Sequence, residues 1–116
     1  TDLNVDDGSG TMEIEDITGD LEVEDGSGTI KIKDIKGDVD IDDGSGEMDV
    51  RDIQGDISIK DGSGTIYVRN IDGNVTVRDG SGSIDINGIE KNVNILRAGS
   101  GSVNIRNVKG KVKIND

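Results

Sequence analysis

"DGSGTIKIKDIKGDVDID", residues Asp25–Asp42, decides the fold of this 116-residue chain, because its pattern returns at intervals of eighteen residues. The lap before it reads "DGSGTMEIEDITGDLEVE" from Asp7, and later laps start at Asp43, Asp61, Asp79 and near Ala98. Within the quoted stretch Ile30 and Ile32, then Val39 and Ile41, alternate with polar residues, which is the period of a half-buried strand. A lone Ile35 stands between the two pairs and plugs a corner, as do Ile17, Ile53, Ile71, Ile89 and, in the last lap, Val108. Each lap therefore holds two short strands and two corners.

Five aliphatic positions per lap cannot bury themselves within one lap; they are covered only when laps stack. The expected fold is all-β: a single-stranded β-solenoid, or β-helix, of about 18 residues per coil, forming one domain over residues 1–116. Its handedness stays open. Second-type strands at 3–5, 21–23, 39–41, 57–59, 75–77, 93–95 and 112–114 number seven against six of the first type, about six and a half coils. Parallel strands about 4.8 Å apart make a stack on the order of 30 Å tall.

The glycines mark the corners. Gly8, Gly26, Gly44, Gly62 and Gly80 form one column, and Gly10, Gly28, Gly46, Gly64 and Gly82 another two residues on, where a tight turn needs positive φ or room beneath the next backbone. Gly19, Gly37, Gly55, Gly73 and Gly110 mark the opposite corner. Between Ile95 and Gly99 the sequence "ILRAG" carries one extra residue and loses the Asp, which predicts a bulge.

Composition narrows the chemistry. There is no Cys, His, Pro, Trp or Phe and one aromatic, Tyr67, so disulfide frameworks, Cys/His metal sites and His-based catalysis are absent. No nucleophile–base pair, phosphate loop or basic aromatic face is present, and the net charge of −12 opposes nucleic acid; the chain reads as neither an enzyme nor a nucleic-acid binder. No apolar run is long enough for membrane insertion. A start at Thr1 without Met reads as either a processed, secreted protein or a trimmed chain, the secreted reading being preferred.

The run of "GDV-x-V" and "GSG-x-I-x-I" units resembles the toastrack-like, adhesin-type β-solenoid family of prokaryotic envelope and secreted proteins, over essentially the whole chain. The resemblance implies a β-solenoid acting as an envelope, adhesive or assembly module, extracellular or at a prokaryotic cell surface. It carries no catalytic signature.

The candidate site residues are the stacked carboxylates Asp7, Asp25, Asp43, Asp61 and Asp79. They have two readings: caps that accept hydrogen bonds from turn amides, or a ladder binding Ca²⁺, the one cofactor the sequence offers a place for. Further columns run through Asp16, Asp34, Asp52 and Asn70, and through Asp20, Asp38, Asp56 and Asn74. Nonapeptide Ca²⁺-binding repeats also make an eighteen-residue lap, but their Asp position holds Ile, Met or Val here. "DVDIDDG" at Asp38–Gly44 has the acidic spacing of an EF-hand start with its Gly one place late, and its alternation makes it a strand. "NVT" at Asn74–Thr76 matches a glycosylation acceptor once, as chance allows, and the threonines at 11, 29 and 65 are interrupted by Glu47 and Ser83, against an ice-binding face.

Charge is distributed unevenly. Residues 1–58 carry 19 acidic and 4 basic side chains, residues 59–116 carry 6 and 9, so the stack has an acidic start and a basic finish. The ends open and close in strands of the same type, with Leu3 and Val5 at one and Val112 and Ile114 at the other. The expectation is a homopolymer: a filament built head to tail, with Asp2, Asp6, Asp7 and Glu13 meeting Arg106, Lys109, Lys111 and Lys113. The alternative is a monomeric envelope or adhesin-type module that binds a partner or Ca²⁺ on one face.

Overall fold

The computed structural model describes residues 3–97, 99 and 101–114, apart from the side chains of Asp7 and Arg97. Asp2, expected at the assembly edge, and the carboxylate of Asp7, expected in the Asp column, therefore lie outside the described residues.

Among the described residues, alternation of aliphatic and polar residues yields thirteen strands: β1 (Leu3–Asp7), β2 (Thr11–Ile17), β3 (Leu21–Asp25), β4 (Thr29–Ile35), β5 (Val39–Asp43), β6 (Gly46–Ile53), β7 (Ile57–Asp61), β8 (Gly64–Ile71), β9 (Val75–Asp79), β10 (Gly82–Ile89), β11 (Val93–Arg97), β12 (Val103–Val108) and β13 (Val112–Ile114). Odd-numbered strands form a seven-stranded parallel sheet in chain order, and even-numbered strands a six-stranded parallel sheet. The chain is thus the expected β-solenoid, each lap contributing one strand to each sheet. Its extents are 30 × 26 × 15 Å, a thin slab whose long dimension matches seven rungs.

Register is lap on lap: Ile30 pairs with Met48, Met48 with Ile66 and Ile66 with Ile84, so like side chains stack directly. These residues, with Leu21, Val39, Ile57 and Val75 from the facing sheet, are shielded from solvent in one continuous core. Each buried aliphatic contributes about 1.5–3 kcal/mol, which is how a chain with 30% apolar residues sustains an ordered core. Ile35, Ile53, Ile71 and Ile89 close the corner between the sheets, as expected. The ladder continues through that corner, where Lys36 N–H donates to the Ile17 carbonyl at 2.9 Å and Gln54 N–H to Ile35 at 2.9 Å, so buried amides stay paired.

The two glycine columns of the DGSG corner have different reasons. Gly64 has φ +120° and sits directly over Gly46, whereas Gly62 has an ordinary φ and needs its missing Cβ because that atom would lie 2.6 Å from the Gly44 carbonyl oxygen. The expected bulge is present: register shifts between Ile95 and Arg97, which leaves Leu96 as the extra residue and sets Arg97 opposite Arg78.

Candidate functional site

Strand alternation turns the DGSG aspartates inward. Along β3 the inward positions are Leu21, Val23 and then Asp25, and the same step brings Asp43, Asp61 and Asp79 to the core side of their strands. Successive members are Cα partners on adjacent rungs. Asp43 is 2% exposed and Asp79 fully buried. Their Oδ1 atoms accept the amide N–H of the residue two further on: Ser45 at 3.3 Å, Ser63 at 3.2 Å and Ser81 at 3.2 Å, with Ser27 on Asp25 at 3.3 Å. This is the turn-capping arrangement. The Oδ2 atoms of Asp43, Asp61 and Asp79 are buried and meet no hydrogen-bond donor.

Burial, then repulsion from Asp25, pushes the Asp43 carboxyl up to about 6 against the lowering pull of the Ser45 and Gly44 amides. Asp61, buried with a carboxylate on each side, is pushed up to about 7, and burial raises Asp79 as well. A neutral carboxyl suits these surroundings, because its proton removes both the desolvation cost and the repulsion along the stack. For Ca²⁺ the column fits poorly. At Asp43, Asp61 and Asp79 one oxygen per rung is uncommitted where the ion takes six to eight, and among the described residues no group of three or more Asp or Glu is arranged around one point.

The other two columns do different work. Asp16, Asp34, Asp52, Asn70 and Asn107 all have φ between 55° and 60°, and Gly88 takes the same place with φ 77°. The column is filled by the residue types that tolerate the left-handed region, so backbone conformation accounts for it. Asp20, Asp38, Asp56, Asn74 and Asn92 each accept, through Oδ1, the amide N–H of the residue one lap on, at 2.9, 2.8, 2.7, 3.1 and 2.9 Å. Lys111 receives the last of these bonds and has no oxygen to extend the ladder.

At both ends of the described stack the inward columns reach solvent. On β13 Val112 is 45% and Ile114 50% exposed, and Leu3 and Val5 at the other end are half-buried members of the same inward columns. Of the four cations expected at the finish, Lys109 is paired with Glu90 at 2.9 Å and Arg106 with Asp85 at 3.5 Å. Lys111 and Lys113 have no ion pair among the described residues, and Asp6 is exposed at the opposite end.

Between β1 and β9 the outer face of the seven-stranded sheet holds a groove of about 660 Å³ bordered by Asp20, Glu22, Asp38, Asp40 and Asp56. Compared with known families, curated proteins and solved structures, the chain matches no family model, no curated protein and no solved structure.

Proposed function

We propose that the chain is a structural subunit that assembles head to tail, β13 of one copy docking beside β1 of the next, to build an extracellular filament. The observation that carries this reading is the apolar row left open on the last strand, Val112 and Ile114, in the same inward columns as Leu3 and Val5. Pairing β13 with β1 of the next copy extends both columns and supplies partners to two open strand edges. Joining like ends instead would set Lys111 and Lys113 against themselves, or acidic starts against each other. The heterologous contact is therefore favoured, and without a closing rotation it propagates.

The odd strand count shapes the joint. With β13 beside the next copy's β1, the neighbouring edges β12 and β2 are two strand spacings apart, roughly 10 Å. The seven-stranded sheet then carries the contact while the six-stranded sheet keeps a one-strand slot. Edge hydrogen bonds and apolar burial supply the affinity, and Lys111 and Lys113 set orientation and a salt-sensitive rate. The likeness of the repeats to envelope and secreted solenoids supports an extracellular setting at a prokaryotic surface. Reversing Lys111 and Lys113 to Glu tests the reading: sedimentation should show the folded variant without the large end-to-end species that the unmodified protein forms. Unchanged assembly of the variant contradicts it.

A further inference from the structure

One outward column of the seven-stranded sheet is antisymmetric in charge. Strand register stacks Asp6 on Glu24, Glu24 on Asp42, Asp42 on Lys60, Lys60 on Arg78 and Arg78 on Arg97. Three acidic positions, Asp6, Glu24 and Asp42, are followed by the basic Lys60 and Arg78, and past the bulge at Leu96 the backbone of Arg97 returns to this register. The sign changes between β5 and β7. Asp6, Glu24, Asp42, Lys60 and Arg78 are all exposed. The neighbouring outward column runs Asn4, Glu22, Asp40, Ser58, Thr76 and Asn94, acidic on one side of the same midpoint and neutral on the other.

We propose that this face binds a second copy of the chain, face to face with the stacks running in opposite directions, about a two-fold axis along the strands midway between β5 and β7. Such an axis keeps each residue's position along the strand and inverts its rung. The column then meets itself reversed: Asp42 lies opposite the partner's Lys60 and Glu24 opposite the partner's Arg78, each pair occurring twice. In the neighbouring column Asp40 faces the partner's Ser58 and Glu22 faces the partner's Thr76, so no acid of these columns meets an acid. A two-fold axis along the stack would instead set Glu24 and Asp42 against their own copies, which like-charge repulsion opposes. At the corner edge Asp38 comes opposite the partner's Asp56, but each carboxylate already accepts an amide N–H along its own stack.

Two further observations favour this face over the other. The outer charges of the six-stranded sheet are partly neutralised within the chain, by Arg69 with Asp49 at 3.4 Å and Arg106 with Asp85 at 3.5 Å, whereas Lys60 and Arg78 have no ion pair among the described residues. The slab face measures 30 × 26 Å, enough for the roughly 800 Å² per partner of a standard interface. Because the pairs are exposed, each contributes little, and the dimer is weak and salt-sensitive. It leaves both end coils open, so it is independent of end-to-end assembly and within a filament would join two antiparallel strands of subunits.

The test uses chains carrying Val112→Asp, which removes the end joint, in sedimentation experiments at low and high salt. The parent should form dimers at low salt that dissociate at high salt. Lys60→Glu with Arg78→Glu, and separately Glu24→Lys with Asp42→Lys, should each be monomeric, and the two variants mixed should form a one-to-one heterodimer at low salt. A parent that is monomeric at low salt, variants that dimerise alone as the parent does, or a mixture that stays monomeric overturns the proposal.

Discussion

Asp43 accepts the Ser45 amide N–H through Oδ1 at 3.3 Å, while its Oδ2, closed off from solvent, meets no donor. The same half-satisfied carboxyl recurs at Asp61 and Asp79, which makes the core of this acidic protein responsive to pH. With Asp43 raised to about 6 and Asp61 to about 7, the folded state holds protons that an unfolded Asp releases near pH 4. The stabilisation is complete below about pH 4 and is lost as pH rises through 6 to 7. Neighbouring rungs titrate together, so the loss is spread over a wide range. Thermal unfolding followed by circular dichroism should show a melting temperature that falls from pH 5 to pH 8. Asp61→Asn keeps the Oδ1 acceptor without the charge and should raise the melting temperature at pH 8 while flattening the profile. A variant less stable than the parent at pH 8 contradicts the account.

Calcium should have little effect. A ligand that binds the native state raises the melting temperature, and Asp43, Asp61 and Asp79 offer one uncommitted oxygen each. Millimolar Ca²⁺ or a chelator should leave the melting curve where it was; a rise of several degrees on adding Ca²⁺ would show that the carboxylates hold the ion.

The corner ladder separates the roles of charge and acceptor. Asp38 Oδ1 takes the Asp56 N–H at 2.8 Å, and Asn74 performs the same task for Asn92 at 3.1 Å. Asp38→Asn should therefore change stability by less than about 0.5 kcal/mol, whereas Asp38→Ala should cost about 1 kcal/mol. Chemical denaturation of both variants reads the difference, and equal losses would mean that the charge, not the acceptor, matters.

Gly62 and Gly8 occupy the same column with different surroundings. A Cβ on Gly62 would lie 2.6 Å from the Gly44 carbonyl oxygen, and one on Gly8 would meet nothing within 4 Å. Gly62→Ala should cost about 1–3 kcal/mol by forcing two laps apart, and Gly8→Ala should be neutral or slightly stabilising. Comparable losses at both positions would put the requirement in local conformation instead of lap spacing.

The solenoid was legible because its physics repeats: the Ile30–Ile32 and Val39–Ile41 alternation gives the strands, the eighteen-residue period gives their register, and "ILRAG" gives the bulge. The burial of Asp43, Asp61 and Asp79 was less plain, although it follows from continuing the inward positions Val39 and Ile41 by one more step. The flanking glycines point to a corner cap, which these carboxyls are, and carry no sign of its depth. The left-handed backbone at Asp34 and Asn70 had a signal too, since a column holding only Asp, Asn and Gly is a conformational requirement before it is a chemical one. The pairing of Lys109 with Glu90 was hidden because the two lie in consecutive laps, nineteen residues apart across the bulge, where the plain eighteen-residue alignment no longer superposes them.

The central claim is head-to-tail assembly, and negative-stain electron microscopy of the concentrated, unmodified protein tests it most directly. The account predicts rods many times longer than the 30 Å of one chain, reduced to single or paired particles by Lys111→Glu with Lys113→Glu. Fields of isolated or merely paired particles from the unmodified protein would contradict it.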